Sequence, residues 1–388
     1  MKRNPLILAF ESSADDSSCA LLAATRPPRI LSLHSIHQHT TNAAFGGIHP
    51  LHAQAQHVKN LPAVLRKVTG DYPLARVDAF AYTRGPGMRG CLHVGEMMAK
   101  SLAAGLGKPL VGQAHALTPL LTETTPPAFP FLVLLLSGGH TQLVLAEGSF
   151  KFRILLDALD SKIGDVYEKA ARLIQLPTAD SAPGAVLENY ASMPSLLPYS
   201  DNPLPALPIP LSVGDSKFTM AFSFSGILSS LSRVLAATTT RPGEAEKREF
   251  SRILQNAVVS HLTFKLTQAI QSLPKATLAS LSGIAVSGGV ASNRFVRLQL
   301  RDMLDNKLSQ ELGRSAGLWY PPINLCTDNA AMIAHTALIR FQPCLYPTSC
   351  DLTNPPSLVS DPFDLPLRPK WSLEALYDDV PASAHTGG

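Results

Sequence analysis

The chain has 388 residues, and about one domain per 150 residues predicts two or three domains. Hydrophobic residues make up 45% of the sequence and charged residues 16%, which supports large cores and excludes a disordered chain. The net charge of +4 permits a polyanionic partner without requiring one. No apolar run approaches the roughly 20 residues of a membrane-spanning helix, so we expect no membrane span.

The five cysteines form neither a disulfide framework nor a C-x-x-C pair, which favours a reducing compartment. The N-terminal residues MKRNPLILAF are too short and abrupt for a signal peptide or an organelle presequence. From Gln342 onward the chain is rich in proline and has no periodicity, which predicts an irregular tail.

In chain order, the pattern predicts two similar hairpins. The first joins an apolar run at residues 6–10 to one at 19–22 through a polar, acidic turn. The second joins residues 131–136 to 141–145 through the short turn S-G-G-H. The similarity of the hairpins predicts two lobes with related architecture.

Helical spacing of apolar residues predicts helices over residues 165–174 and 248–273, whereas 192–211 and 236–246 have loop composition. Another S-G-G turn follows the apolar strand at 284–286. Glycines at strand ends let backbone N–H groups approach a phosphate closely. Two such turns, together with the acidic hairpin turn, indicate a nucleotide site, although each could be only a tight turn.

Four residues are candidates for chemistry, each with a structural alternative. Asp15 and Asp16 could bind a cation or orient a nucleophile, or they could cap a solvated turn. Asp328 precedes an apolar stretch, where it could also be a helix N-cap. His115 could be a ligand or a structural histidine, and no H-E-x-x-H motif supports a zinc protease.

Together the motifs resemble those of the tRNA adenosine threonylcarbamoyltransferases, once described as O-sialoglycoprotein endopeptidases. The similarity extends from about residue 6 to 340. The motifs that carry it are F-E-S-S-A-D-D-S at 10–17, Gly46-Gly47-Ile48 with His57, T-R-G-P-G-M at 83–88 with Val94-Gly95, S-G-G-H-T-Q-L at 137–143, S-F-S-G at 223–226, S-G-G-V-A-S-N-R at 287–294 and C-T-D-N-A-A-M-I-A at 326–334.

The resemblance implies an α/β fold of the actin, sugar-kinase and Hsp70 class, with duplicated RNase H-like lobes and a nucleotide-type ligand between them. We expect one lobe from residues 1–128 plus 328–345, a second from 129–327, and an irregular tail from 346–388. The implied reaction transfers a threonylcarbamoyl group to N6 of adenosine-37 in tRNAs that read A-starting codons, with release of AMP. A separate synthase would make the donor, L-threonylcarbamoyl-adenylate, from threonine, bicarbonate and ATP.

The resemblance also implies roles for individual residues. Asp15 would position or deprotonate the attacking amine, and His115 and Asp328 would hold one divalent metal ion per subunit, Mg, Zn or Fe. The implied substrate-binding residues are Leu135, Leu136, Ser137, Gly138, Gly139, Glu168, Gly184, Ser287, Gly288, Gly289 and Asn293.

Three departures from the family pattern bear on these roles. The first histidine of the family's H-x-x-x-H run is missing between Gly112 and Gln113, which leaves two protein ligands and suits magnesium with waters better than zinc or iron. Alternatively another group substitutes, or the sequence reflects a mis-spliced gene. Glu168 stands where the family has aspartate, and Ala14 replaces a cysteine.

His140 and the run Q-A-H-A-L-T-P resemble the bacterial and mitochondrial branch, and the loop insertions and proline-rich tail are typical of a eukaryotic member. We therefore expect a mitochondrial location with a truncated start, and the resemblance to the mitochondrial branch implies a homodimer; the alternative location is cytoplasmic. Two other functions stay open. One is a catalytically impaired family member that serves as a tRNA-binding or scaffold subunit. The other is a different enzyme on the same fold, such as another carbamoyltransferase or a sugar kinase.

Overall fold

The computed structural model describes residues 4–25, 27–45, 47–113, 121, 123, 127–148, 151–178, 181–196, 204–237, 241–341 and 360–375. The chain divides into two compact units. The first unit comprises Met1–Pro126, Ser149–Lys151 and Asp328–Gly388, and the second comprises Pro127–Gly148 and Phe152–Thr327.

The described strands are β1 (Leu6–Glu11), β2 (Asp16–Ala23), β3 (Arg29–His37), β4 (Ala79–Thr83), β5 (Leu110–Gln113), β6 (Phe131–Leu136), β7 (Thr141–Gly148), β8 (Lys151–Asp157), β9 (Gly283–Ser287) and β10 (Gly317–Trp319). The described α-helices are α1 (His39–Ala44), α2 (Pro50–Val68), α3 (Arg89–Leu106), α4 (Ile163–Leu173), α5 (Pro183–Ser192), α6 (Ser225–Ala237), α7 (Glu244–Gln271), α8 (Lys275–Ser280), α9 (Arg294–Met303), α10 (Ser309–Leu312) and α11 (Ala330–Phe341). None of the described helices is long and apolar enough to cross a membrane.

Each unit contains a five-stranded sheet, and the two sheets have the same topology. The first sheet has the order β3-β2-β1-β4-β5 and the second β8-β7-β6-β9-β10, with five strands each. In both, the opening hairpin is antiparallel and the last two strands join its first strand in parallel. This repeated topology confirms the predicted α/β fold with duplicated RNase H-like lobes of the actin and sugar-kinase class.

The central strands are apolar because helices or neighbouring strands cover them on all sides. All residues of β4 and β9 are buried, and every position of β1 after Leu6 is buried. Helix α7 packs into the hydrophobic core of the second unit. It begins at Glu244, inside the expected loop 236–246. The reason is that Glu246 accepts a hydrogen bond from the backbone N–H of Gly243 and thereby starts the helix earlier.

Residues 360–375 of the expected irregular tail lie against the first unit. Their one regular element is a short 3₁₀ turn at Leu373–Ala375. Nevertheless Asp361 is 2% exposed and Trp371 7% exposed, so this segment is packed even though it forms no helix or strand of its own.

Candidate functional site

The turn between β1 and β2 carries the candidate catalytic carboxylate. Asp15 is half-buried, and its Oδ2 accepts a hydrogen bond from Asn42 Nδ2 at 2.7 Å. Asp16 is not in the turn as expected: it opens β2, and its Oδ1 lies 2.7 Å from His37 Nδ1. This hydrogen bond raises the pKa of His37, so Asp16 is paired across the sheet while Asp15 stays at the turn.

Buried polar side chains form hydrogen bonds with the turn between β1 and β2. Glu11 is fully buried, and its carboxylate accepts hydrogen bonds from Ser13 N and from the hydroxyl of Thr83. His57, also fully buried, lies 3.0 Å from Ala14 O through Nε2 and 2.8 Å from Ser17 Oγ through Nδ1. The carbonyl can only accept, so Nε2 carries the proton; burial lowers the pKa of His57 and keeps the ring neutral.

The loop at residues 84–88 contacts the same turn. Met88 N donates to Ser13 O at 2.9 Å. Gly87 has a φ of +156°, and a Cβ there would lie 2.7 Å from Ser13 Cβ, so only glycine permits the approach. The motif T-R-G-P-G-M, which alone favours a rigid loop, is therefore a packing partner of the turn that holds Asp15.

Asp328 is half-buried and lies two residues before Ala330, the first residue of α11. The structural alternative for it, the helix N-cap, belongs to the next residue: Asn329 Oδ1 accepts from Ala331 N at 3.0 Å and from Met332 N at 3.3 Å. Ala330 N donates to Ser18 Oγ at 3.2 Å, which places the start of the helix against β2. Asn329 therefore supplies a side-chain cap at the start of α11.

His115, the other expected metal ligand, lies outside the described residues. Gly112 and Gln113 end β5 just before it. Within the part of the chain that the structure describes, no group of three or more His, Cys, Asp or Glu side chains could hold a metal ion.

In the second unit the two S-G-G turns lie side by side, because their strands are parallel neighbours. Leu135 pairs with Ser287 in the register of β6 and β9. Gly288 has a φ of +99°, and a Cβ there would lie 2.4 Å from Leu136 O. The structure therefore brings together residues 135–139 and 287–289, as expected for a backbone N–H cradle.

Helix α4 begins at this cradle. Gly164 N donates to Ser137 O at 3.1 Å, and a Cβ on Gly164 would lie 2.6 Å from Gly138 N. Glu168 is half-buried on the second turn of α4, where burial raises the pKa of its carboxyl and the nearby Arg172 opposes the rise. The position of Gly184 on α5 faces α4, since a Cβ there would lie 3.7 Å from Tyr167 Cβ.

Asn293 has a structural role that the motif did not indicate. Its Oδ1 accepts from Val296 N at 3.0 Å and caps α9, and its Nδ2 donates to Gln255 Oε1 at 3.1 Å. The side chain is 5% exposed. Asn293 therefore fixes the segment that follows the second S-G-G turn.

Comparison with known proteins identifies the family. A model described as TsaD, tRNA N6-adenosine threonylcarbamoyltransferase, matches residues 29–335. A protein of that name from Methylibium petroleiphilum is 34% identical over 97% of this chain and 100% of its own length. The mitochondrial one of Schizosaccharomyces pombe is 35% identical over 86% of this chain and 82% of its own. The resemblance that the motifs indicated is confirmed.

Proposed function

Because the chain belongs to the tRNA N6-adenosine threonylcarbamoyltransferase family, we propose that it transfers a threonylcarbamoyl group from L-threonylcarbamoyl-adenylate to N6 of adenosine-37. The acceptors are tRNAs that read A-starting codons, and AMP leaves. The observation that carries this proposal is the pair of adjoining S-G-G turns in the second unit. The first unit, considered by itself, holds Asp15 on a buried polar scaffold.

The residues of this chain divide the work between binding and proton transfer. The two S-G-G turns, at residues 137–139 and 287–289, place backbone N–H groups next to the adenylate phosphate. Asn42 orients the carboxylate of Asp15, which receives the proton that the N6 amine loses when it attacks the carbamoyl carbon. Glu168 and Gly184 complete the substrate-binding set around α4 and α5.

The family pattern also calls for one divalent metal ion, Mg, Zn or Fe, which Asp328 and His115 would hold. The donor set fits by its chemistry, since a carboxylate oxygen and an imidazole nitrogen are both ligands that such divalent ions accept. When bound, the ion supplies Lewis acidity for the adenylate leaving group. With a single histidine, we expect weaker metal binding than a full H-x-x-x-H run would give.

The further partners are tRNA, a separate synthase that supplies the adenylate, and a second copy of the chain. Supporting a homodimer, the α1–α2 region exposes Phe45 (50%), Leu51 (72%) and Val58 (59%). A mitochondrial location is supported by the Schizosaccharomyces pombe relative, although bacterial relatives are equally similar.

The proposed function is tested by reconstitution. The purified chain is incubated with tRNA, a threonylcarbamoyl-adenylate synthase, threonine, bicarbonate and ATP, with magnesium, manganese, zinc or iron(II) in separate reactions. Threonylcarbamoyladenosine is then measured by mass spectrometry of the nucleoside digest. We expect product with the wild type and none with Asp15→Asn or Asp328→Ala.

If no product forms with any metal while tRNA still binds, the chain acts as a tRNA-binding or scaffold subunit and not as a transferase. A four-residue insert that restores a histidine at Gly112 distinguishes the two cases. Product that appears only with the insert would show that this chain is the impaired form.

A further inference from the structure

Residues 360–375, which we call the strap, bind the edge of the first sheet. Asp361 N donates to Leu110 O at 2.8 Å, and Leu110 N donates to Ser360 Oγ at 3.1 Å. The strap therefore begins alongside Leu110 of β5, the strand that precedes His115 in the sequence.

A buried ion pair fixes this end of the strap. Asp361 Oδ1 lies 2.5 Å from Arg340 Nη2 of α11, with side chains 1% and 6% exposed. The other oxygen, Oδ2, accepts from Gly112 N at 2.9 Å. One carboxylate thus joins α11 and the end of β5.

A second set of contacts between the strap and the first sheet is centred on Arg84, which is fully buried. Its Nε donates to Pro366 O at 2.7 Å, and its guanidinium carbon lies 5.0 Å from the ring centre of Trp371. Arg368 also lies on that ring, at 5.3 Å. Trp371 Nε1 and Arg368 Nη1 both donate to Ala375 O at 2.9 Å, so the aromatic ring is held from its edge as well.

Backbone contacts connect the strap, through loop 84–88, to the turn that contains Asp15. Arg368 N donates to Arg84 O at 2.9 Å, and Gly87 N donates to Pro369 O at 3.1 Å. A Cβ on Gly85 would lie 1.9 Å from Arg368 O. On its far side the loop contacts Ser13, through the Met88 N hydrogen bond of 2.9 Å.

From this continuous set of contacts we infer that the strap is a positioning element of the transfer reaction, with Trp371 as its central residue. The ring of Trp371 packs on Arg84, the first residue of loop 84–88, and Pro369 O accepts from Gly87 N of the same loop. Met88 N of that loop donates to Ser13 O, two residues before Asp15. The inference rests on the proposed function. Displacement of a reacting group by about 1 Å costs up to about a hundredfold in rate, so a loosened strap lowers kcat.

The test compares substitutions within the strap. Trp371→Ala lowers kcat about tenfold to a hundredfold, while KM for tRNA and for the adenylate is unchanged. Trp371→Phe keeps an aromatic face for both arginines and restores most of kcat. Trp371→Leu removes less buried volume than alanine, lacks the π face and behaves like Trp371→Ala, which covers the case in which the alanine variant fails to fold. Phe363→Ala, at a strap residue that is 45% exposed, is the matched control and keeps wild-type kcat.

Hydrogen exchange of the full chain without substrate supplies a readout that is independent of activity. In Trp371→Leu we expect faster exchange at the amides of Gly87 and Met88 and in turn 12–15, with β6 and β9 unchanged. Faster exchange confined to 360–375, or a leucine variant with full kcat, would overturn the inference. If the wild type forms no product, the proposed function fails, and the exchange result alone then decides whether the strap holds the turn.

Discussion

His57 fixes the turn of Asp15 through both of its ring nitrogens. With the proton on Nε2, Nδ1 accepts from the Ser17 hydroxyl at 2.8 Å, and burial lowers the pKa of the ring. His57 belongs to one of the motifs that carry the family resemblance, but nothing in the sequence indicated that its ring would hold this turn. The place of Asp15 in the hairpin turn could be predicted from the polar run between two apolar strands, whereas the contacts of His57 depend on the packing of α2 against β2.

Replacement of His57 by alanine is expected to destabilise the first unit by about 2–4 kcal/mol, because Ala14 O and Ser17 Oγ lose their buried partner. We also expect a lower kcat for threonylcarbamoyl transfer, since the turn of Asp15 is no longer fixed. Urea unfolding and the reconstituted assay measure the two effects. His34→Ala, at an exposed position of β3, is the control, and equal stability of the two variants would contradict the role of His57.

At the scale of elements, the hairpins were predictable and the strap was not. Residues 131–136 form a continuous apolar run because β6 is covered on both faces, and the S-G-G turn marks its end. The strap contacts its neighbours chiefly through backbone groups and the side chains of Asp361, Arg368 and Trp371. Such contacts leave no hydrophobic periodicity.

The two S-G-G turns depend on one glycine at their contact. Gly288→Ala places a Cβ 2.4 Å from Leu136 O at a φ of +99°, so both turns must shift. We expect a loss of about 2 kcal/mol or more in unfolding free energy and a loss of adenylate binding. Differential scanning calorimetry and isothermal titration with a non-hydrolysable adenylate analogue measure these effects.

Gly289→Ala is the matched stability control, because its Cβ would meet Thr327 Cγ2 at an ordinary 4.0 Å. If Gly289→Ala reduced stability as much as Gly288→Ala, the close contact with Leu136 O would not be the cause. If neither variant lost adenylate affinity, the cradle would have to be assigned elsewhere in the second unit.

For the assembled molecule, the proposed homodimer is tested on the exposed face of α1 and α2. We expect the double substitution Leu51→Glu and Val58→Glu to give monomers in sedimentation velocity, because two carboxylates cannot be buried without partners. Leu298→Glu introduces the same charge at a site on α9 that is 67% exposed, and it should leave the dimer intact. A wild-type monomer at micromolar concentration would rule the homodimer out.

Each unit has its own core, so acid stability can be examined in one of them. His335 on α11 is fully buried, and burial lowers its pKa from 6.5 to about 3. Between pH 6.5 and about 3, His335 is therefore protonated in the unfolded chain and neutral in the folded chain. This one group makes the first unit lose about 1.4 kcal/mol of stability per pH unit as the pH falls from 6.5 toward 3.

His335→Gln keeps a polar side chain and removes this titration, so its stability is expected to depend less steeply on pH. Trp371 lies in the first unit and Trp319 in the second, and the sequence has two tryptophans, so the Trp319→Phe background makes fluorescence report the first unit. Urea unfolding at pH 7.5, 6.0, 5.0 and 4.5 then compares the slopes with and without His335→Gln. Parallel slopes would mean that His335 is protonated in the folded state, and α11 would then have to accommodate a buried charge beside β1 and β2.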